Sequence, residues 1–462
     1  MPFVILPTNS VSGGYDITNS LRFNSGSSDN LNRTIGSTGN RKTVTFSGWF
    51  KRSSLSGNQM IFSWGGGGLD IVNFFFNGSP ETLNFYNYPS SLGANFTTNQ
   101  LFRDVSAWYH IVLAVDTTQA TSSDRIKLYV NGTQVTSFSS ITYPTLNEDF
   151  EWNVSGESIR IGANYSVGDF INGYLAETYI IDGQALTPSS FGETDFDTGI
   201  WKPKAYTGSY GTNGFYLQFK NSASLGTDSS GNGNTFTVNN LTSIDQTTDT
   251  PTNNFATINT LTCNDTASLT ASEGNLSISG GNDMGATFGL TKGKWYWESK
   301  RTNTGSAGHW GIGFTQSWNS STQIVTGNGS GIWIRDDFVG GYNVNNSGSN
   351  GFTTISGSTT GSSIANGDIV GIALDLDSAT KSITFYQNGS SVGSGTFSYD
   401  GTTTFCFPFV RNNSGVSSQW NFGNPPFTIS SGNADAEGFG NFEYAVPSGY
   451  YALCTKNLAK YG

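Results

Sequence analysis

The chain has 462 residues, with 22 Lys and Arg against 33 Asp and Glu for a net charge of −11, and only 12% of its side chains are charged, about half the usual globular share of roughly 25%. A chain this acidic and this poor in Lys and Arg excludes nucleic-acid binding, which needs basic groups to displace counterions from phosphates. Two histidines, His110 and His309, and three distant cysteines, Cys263, Cys406 and Cys454, leave almost no material for a His-based metal site, a catalytic triad, a zinc spacing or a disulfide framework.

The 33 Phe, 20 Tyr and 11 Trp make 14% of the chain, and each such ring buries about 150–250 Å², so a core can be built with few aliphatics. Abundant Gly, Ser, Thr and Asn with few helix formers point to strands and turns. The first ten residues, MPFVILPTNS, lack a basic region and their apolar run breaks at Pro7, so they do not read as a signal peptide. No stretch approaches the roughly 18 apolar residues of a membrane span. A soluble, acidic protein made in a cytoplasm is expected.

In chain order, the first clear strand is 108–115, where Tyr109, Ile111, Leu113 and Val115 share one face. Residues 126–130 repeat the pattern with Ile126, Leu128 and Val130; Asn131-Gly132 follows, and 133–138 resumes it, which predicts a hairpin. Residues 221–260 are rich in Asn, Ser, Thr, Asp and Gly and hold only isolated apolar residues, so a connector is placed at 246–257. Beyond it, Val370, Ile372, Leu374 and Leu376 alternate. A second hairpin is expected from 383–386 through Gln387-Asn388-Gly389 to Phe397. Trp49, Trp108, Trp295, Trp297 and Trp310 sit in strand-like runs and are expected in the core. Many short strands over this length predict an all-β chain of two β-sandwich (jelly-roll) domains in tandem: an arm at 1–14, a sandwich at 15–245, the connector, a second sandwich at 258–446 and a tail at 447–462.

The segments VTFSGWFKRSS (44–54), IFSWGGGG (61–68), WYHIVLAVD (108–116), IKLYVNGTQV (126–135) and NGYLAETYIIDGQAL (172–186) resemble, in order and spacing, the laminin-G-like and concanavalin-A-like lectin and glucanase domains. That resemblance covers residues 15–245 and implies two antiparallel sheets packed as a jelly roll, with ligands held by loops or a sheet face. GKWYWESK (293–300), WGIGF (310–314), ANGDIVGIALDLDSATKSITFYQNG (365–389) and FCFPFVR (405–411) resemble the SPRY domain, a recognition module. The pairing of both with PTNNFATIN (251–259) and SGYYALCTKNL (448–458) is similar to a family of virion proteins of marine bacteriophages.

Three groups of residues carry candidate chemistry. Glu193, Asp195 and Asp197 in ETDFD resemble the paired-carboxylate strand of laminarinase-type hydrolases. They stand between Pro188-Ser189-Ser190 and Thr198-Gly199, however, which is loop chemistry, so a solvated acidic loop is expected and no catalytic residue is assigned. Asp228, Asn232 and Asn234 offer hard oxygens in a Gly turn, which suits Ca²⁺ and equally suits an Asx turn. Trp318 in SWNSST, with Arg335, Asp336, Asp337 and Tyr342 in IRDDFVGGYN, forms a polar loop set in the second domain that offers ring faces and hydrogen-bonding groups to sugars. Together these features lead to the expectation of a non-enzymatic structural protein of the virion surface. It would contact other virion proteins and host-surface glycans, act as a homo-oligomer in the particle, and be synthesised in the host bacterial cytoplasm. A glycan depolymerase on the first sandwich, and a purely structural subunit without a host ligand, are the alternatives.

Overall fold

The computed structural model describes residues 14–65, 70–89, 93–263, 265–281, 283–303, 308–315, 330–335, 363–397, 399, 401, 405–412 and 416–462. Val11–Thr252 form one compact unit, and Asn253–Gly462 belong to a second. Strands dominate both, and the sole α-helix among the described residues is the short α1 (Thr455–Tyr461). No helix there is long and apolar enough to cross a membrane.

In the first unit, one sheet runs in the order β10 (Thr133–Gln134), β9 (Ile126–Val130), β8 (Trp108–Asp116), β3 (Thr43–Arg52), β13 (Gly173–Asp182), β1 (Ser20–Phe23) and β18 (Gln246–Thr247), with β16 (Phe215–Leu217) also on β13. The second sheet runs β11 (Phe138–Thr142), β7 (Asn95–Leu101), β6 (Thr82–Tyr88), β5 (Ile71–Phe76), β4 (Gln59–Gly65), β12 (Ser158–Ile161), β2 (Asn30–Thr34) and β17 (Thr237–Asn239). Their facing side chains alternate inward along each strand, and Phe46, Phe50, Phe62, Trp64, Phe74, Phe85, Ile111 and Leu113 fill a shared aromatic core. Asn131 and Gly132 both take positive φ (47° and 80°), the geometry of the two-residue hairpin. The return is shorter than the sequence pattern suggests. Thr133 and Gln134 pair with β9, the Val135 N–H still reaches the Leu128 carbonyl at 2.8 Å, and the chain then crosses to the other sheet, where β11 pairs with β7.

The other face of the first sheet carries a second packed layer. Trp49, Trp108 and Tyr174 meet Tyr15, Ile17 and Trp201, while Val112, Tyr179 and Ile181 meet Phe191, Tyr206, Tyr210 and Tyr216. Trp49 and Trp108 are therefore buried, but in this outer layer and not between the sheets. The segment after β13, including the hairpin of β14 (Gly192–Thr194) and β15 (Trp201–Pro203), supplies most of the cover. Glycine, threonine, serine and proline disguise that segment as loop.

Residues 246–257, expected as a connector, are packed into the two units. β18 pairs with β1, and the fully buried Asp249 carboxylate accepts from Lys51 Nζ at 2.7 Å and from the Trp108 indole N–H at 3.2 Å. On the other side of the division, Phe255, Ala256 and Ile258 are buried in the second unit, and Phe255 bridges to Cys454.

In the second unit the larger sheet runs β19 (Thr270–Ser272), β20 (Ser277–Ser279), β29 (Ser417–Asn421), β22 (Lys294–Arg301), β25 (Ile369–Asp375), β26 (Lys381–Gln387) and β27 (Ser390–Phe397). The smaller runs β21 (Asp283–Gly285), β28 (Phe405–Asn412), β23 (Gly308–Thr315) and β24 (Ser330–Arg335). Trp295, Trp297, Trp310, Ile372, Leu374 and Trp420 form the core. The second expected hairpin is present, with Asn388 and Gly389 at φ 49° and 79° between β26 and β27.

The tail 447–462, expected to flank this sandwich, is part of it. β30 (Tyr451–Ala452) lies parallel against β22, and Leu453, Cys454 and Leu458 are buried. The side chain of Asn457 donates to Asp435 and to the carbonyl of Ala452. Its apolar residues close the domain's own core. The arm at 1–14 lies outside the described residues except for Gly14.

Candidate functional site

Of the predicted loop set in the second unit, Trp318, Asp336, Asp337 and Tyr342 lie outside the described residues. Arg335 is described in its backbone alone, at the end of β24 opposite His309.

Asp228, Asn232 and Asn234 do come together, just after β16. Asp228 Oδ1 accepts from the backbone N–H of Tyr216 and of Ser230, both at 2.9 Å, and Oδ2 accepts from Ser230 Oγ and from the Asn234 N–H, both at 2.8 Å. The Asn232 and Asn234 side-chain NH₂ groups donate to the carbonyls of Gly211, Thr212 and Gly214, and Asn234 Oδ1 accepts from Arg33. A calcium site turns its oxygens toward one cation. Here each Asp228 oxygen already holds two protein donors, so these residues fit an Asx-stapled turn and not a calcium cradle. The described residues contain no group of three or more His, Cys, Asp and Glu able to hold a metal.

The acidic triplet occupies the exposed β14–β15 hairpin. Asp195 accepts from Thr198 Oγ1 at 2.8 Å and from the backbone N–H of Asp197 and Thr198, and Lys202 Nζ stands 3.1 Å from it and 3.5 Å from Glu193. The hydrogen bonds from Thr198 and Lys202 hold the Asp195 carboxyl down to about 2. A hydrolase acid needs the opposite environment, one that keeps its proton near neutral pH. Phe196 projects from the same turn at 99% exposure.

Two buried groups, His110 and Glu177, also have side chains suited to acid–base chemistry. His110 Nε2 lies 2.9 Å from Ser47 Oγ, the spacing of a nucleophile and its base, but His110 Nδ1 accepts the Trp201 indole N–H at 3.0 Å. The indole only donates, so the neutral ring carries its proton on Nε2, donates it to Ser47, and has no lone pair there to deprotonate the hydroxyl. Stacked on Trp49 and Trp201, His110 is pushed by burial from 6.5 down to about 3. It stays neutral in the folded protein while the unfolded chain takes up a proton below pH 6.5. Its contribution to stability is therefore lost as pH falls from about 6.5 toward 3, at about 1.4 kcal/mol per pH unit. Urea unfolding of wild type and His110→Gln between pH 7 and pH 4 should show the stability gap closing with that slope; a gap independent of pH would contradict it.

Glu177, at a bulge in β13 with φ 48°, accepts from the hydroxyls of Tyr15, Tyr179 and Tyr216. Burial raises its pKa. Among the described residues no second carboxylate hydrogen-bonds to these tyrosine hydroxyls.

The outer face of the second sheet is different in kind. Because strand side chains alternate, register alone aligns one residue per strand across it: Thr237, Asn32, Arg160, Ser63, Asn73, Tyr86, Asn95 and Thr142. All eight are polar. Six central members, at about 4.8 Å per strand, make a row about 24 Å long. Asn73 donates from Nδ2 to the Tyr86 hydroxyl at 2.5 Å. Burial raises the Tyr86 pKa, so the phenol keeps its proton as a donor. Phe75 stands edge-to-face on Tyr86, 6.0 Å between centroids. Asn84 and Thr97, joined by a 2.7 Å hydrogen bond, extend a second polar row beside the first.

Within this row, Ser63 (0% exposed) and Asn73 (2%) are buried, and Ser63 Oγ, Asn73 Oδ1 and Arg160 Nε have no hydrogen-bond partner among the described residues. A buried polar atom left unpaired costs about 1–3 kcal/mol, which a ligand hydroxyl would recover. Sequence reading missed the row because its members come from eight strands spread over more than two hundred residues. The one local signal is 83–86, where Leu83 and Phe85 alternate with Asn84 and Tyr86.

Residues 18–190 match the concanavalin A-like lectin/glucanases superfamily model and residues 294–425 match the SPRY domain model. The chain is thus a tandem of a concanavalin A-like sandwich and a SPRY sandwich. Among solved structures it is similar to the native heptameric SAP-like pentraxin from Limulus polyphemus (17% identity over 38% of this chain and 80% of that one, TM-score 0.29). It is also similar to domains LG4-5 of the mouse laminin alpha1 chain (12% identity, 96% and 100%, TM-score 0.30) and to the SPRY domain of human HERC1 (17% identity, 33% and 91%, TM-score 0.23). No curated protein matches the chain.

Proposed function

We propose that the chain is a non-enzymatic adhesion protein that holds host-surface glycans on the outer face of the second sheet of its first sandwich. Copies of it would be mounted with other virion proteins on the surface of a phage particle. The observation that carries the binding role is the transverse polar row with its unpaired buried atoms beside Phe75 and Tyr86, because sugars offer hydroxyls to amides and C–H faces to rings. Two further observations support a role without catalysis: the low Asp195 pKa and the His110 tautomer fixed by Trp201. The virion setting rests on the sequence resemblance, and Cys263, Cys406 and Cys454, buried and joined in no disulfide among the described residues, suit synthesis in a reducing cytoplasm. A single shallow sugar site is weak, and many copies on one particle raise apparent affinity by about 10²–10⁴ without a new contact.

Purified protein titrated with polysaccharide from the host envelope tests this reading. Asn73→Ala and Tyr86→Phe should each weaken binding about five- to thirtyfold, while the Trp318→Ala/Tyr342→Ala variant reports on the second sandwich. No reducing ends should appear. Release of sugar that disappears in Glu193→Gln or Asp195→Asn would restore the depolymerase alternative.

A further inference from the structure

We infer that the row is selective for glycans bearing an anionic substituent, a carboxylate or a sulfate, and that Arg160 is the residue that reads it; the inference rests on the glycan-binding reading above. The first unit contains seven arginines, and six are tied to the protein. Arg22 donates to the carbonyl of Ile244, Arg33 to Asn234, Arg41 to Phe150 and Glu151, Arg52 to the carbonyl of Phe102, Arg103 to Glu81, and Arg125 to three loop carbonyls. Arg160 alone has neither a hydrogen bond nor an ion pair among the described residues, and its Nε is buried without a partner.

A guanidinium in this condition sits at a cost that a ligand can relieve, and its planar fork of donors matches two oxygens of one anionic group. The neighbours in register strengthen the match. Asn32 lies on one side and Ser63 on the other. Asn32 Oδ1 is occupied by the Asn239 amide at 3.0 Å, which leaves its NH₂ to donate, and the Ser63 hydroxyl is unpaired. Three donors thus stand together with no acid among them. Two strands further along, the character changes. Asn73 Oδ1 accepts and the Tyr86 hydroxyl donates, the complement of a neutral sugar hydroxyl, and the nearby Asp169 acts electrostatically on Tyr86. An anion is therefore favoured at the Arg160 end and disfavoured at the Tyr86 end, which fixes the direction of a bound chain. The net charge of −11 opposes polyanions at long range, so recognition has to come from this local contact and not from a basic surface.

The test uses the full chain, with calorimetric titration of a neutral glucan oligosaccharide, a uronic-acid oligosaccharide and a sulfated galactan oligosaccharide of equal length. Wild type should prefer one of the acidic ligands over the neutral one by about ten- to a hundredfold. The ligand that wins tells a planar carboxylate from a tetrahedral sulfate. Arg160→Gln should remove that preference, lowering the affinity for the acidic ligand by about ten- to a hundredfold more than that for the neutral one, and Arg160→Lys should restore only part of it. Equal binding of neutral and acidic ligands by wild type, or an equal loss on all three in Arg160→Gln, overturns the role of Arg160 and leaves the glycan-binding face standing. Binding of none of the three or of host polysaccharide, in protein with an unchanged unfolding transition, overturns both.

Discussion

Asp249→Ala is expected to lower the stability of the first sandwich by about 3–5 kcal/mol, the usual consequence of removing one partner from a buried ion pair. The Lys51 ammonium is buried, and desolvation already lowers its pKa, with Asp249 the main opposing influence. Without Asp249 the buried charge loses its main compensation, with Asp104 and the Tyr174 ring face left to oppose desolvation, and the Trp108 indole N–H loses the Asp249 acceptor as well. Urea titration of the full chain should show the first transition shifted and the second unmoved. Removing both charges in Lys51→Met/Asp249→Leu should return much of the loss, because a well-packed apolar pair substitutes for a buried ion pair at little cost. A change within about 0.5 kcal/mol for Asp249→Ala, the size of an ordinary surface effect, would mean that residues 246–252 are the connector their composition suggests.

Deletion of residues 448–462 is expected to unfold the second sandwich at 25 °C and leave the first intact. The deletion removes the pairing of Tyr451 and Ala452 with β22, the buried side chains of Leu453, Cys454 and Leu458, and the Asn457 amide from Asp435. Each of the two leucines alone is worth about 1.5–3 kcal/mol of burial, against a typical domain stability of about 5–15 kcal/mol. The milder Leu453→Ala should cost about 2–5 kcal/mol. Near-ultraviolet circular dichroism separates the outcomes, since the tryptophans of the second core lose their signal on unfolding. A truncated chain that keeps two cooperative transitions would show the tail to be an attachment and not a structural element.

Local signals in the sequence identify much of the fold. Asn131-Gly132 and Asn388-Gly389 mark hairpins because two successive positive φ values are a property of those residues themselves. The strand at 108–115 is readable because Ile111, Leu113 and Val115 face one core. Burial of Trp49 and Trp108 is also readable, but their side of the sheet is not, because both faces of that sheet are covered. The roles of Asp249 and of the tail are hidden for a different reason. Lys51 lies 198 residues from Asp249, so nothing near the acid distinguishes it from a loop aspartate. The polar row is hidden in the same way: IVNFFF reads as an apolar run with one Asn, and only pairing with β4 and β6 sets Asn73 beside Ser63 and Tyr86.

The most direct measurement is a crystal structure of the full chain with an oligosaccharide from the host envelope. The expected complex has the sugar lying across β12, β4, β5 and β6, a sugar hydroxyl donating to Asn73 Oδ1, and the Tyr86 hydroxyl donating to the sugar. An oligosaccharide seated against Trp318 and Tyr342 with this face bare, or cleaved beside Glu193 and Asp195, would contradict it.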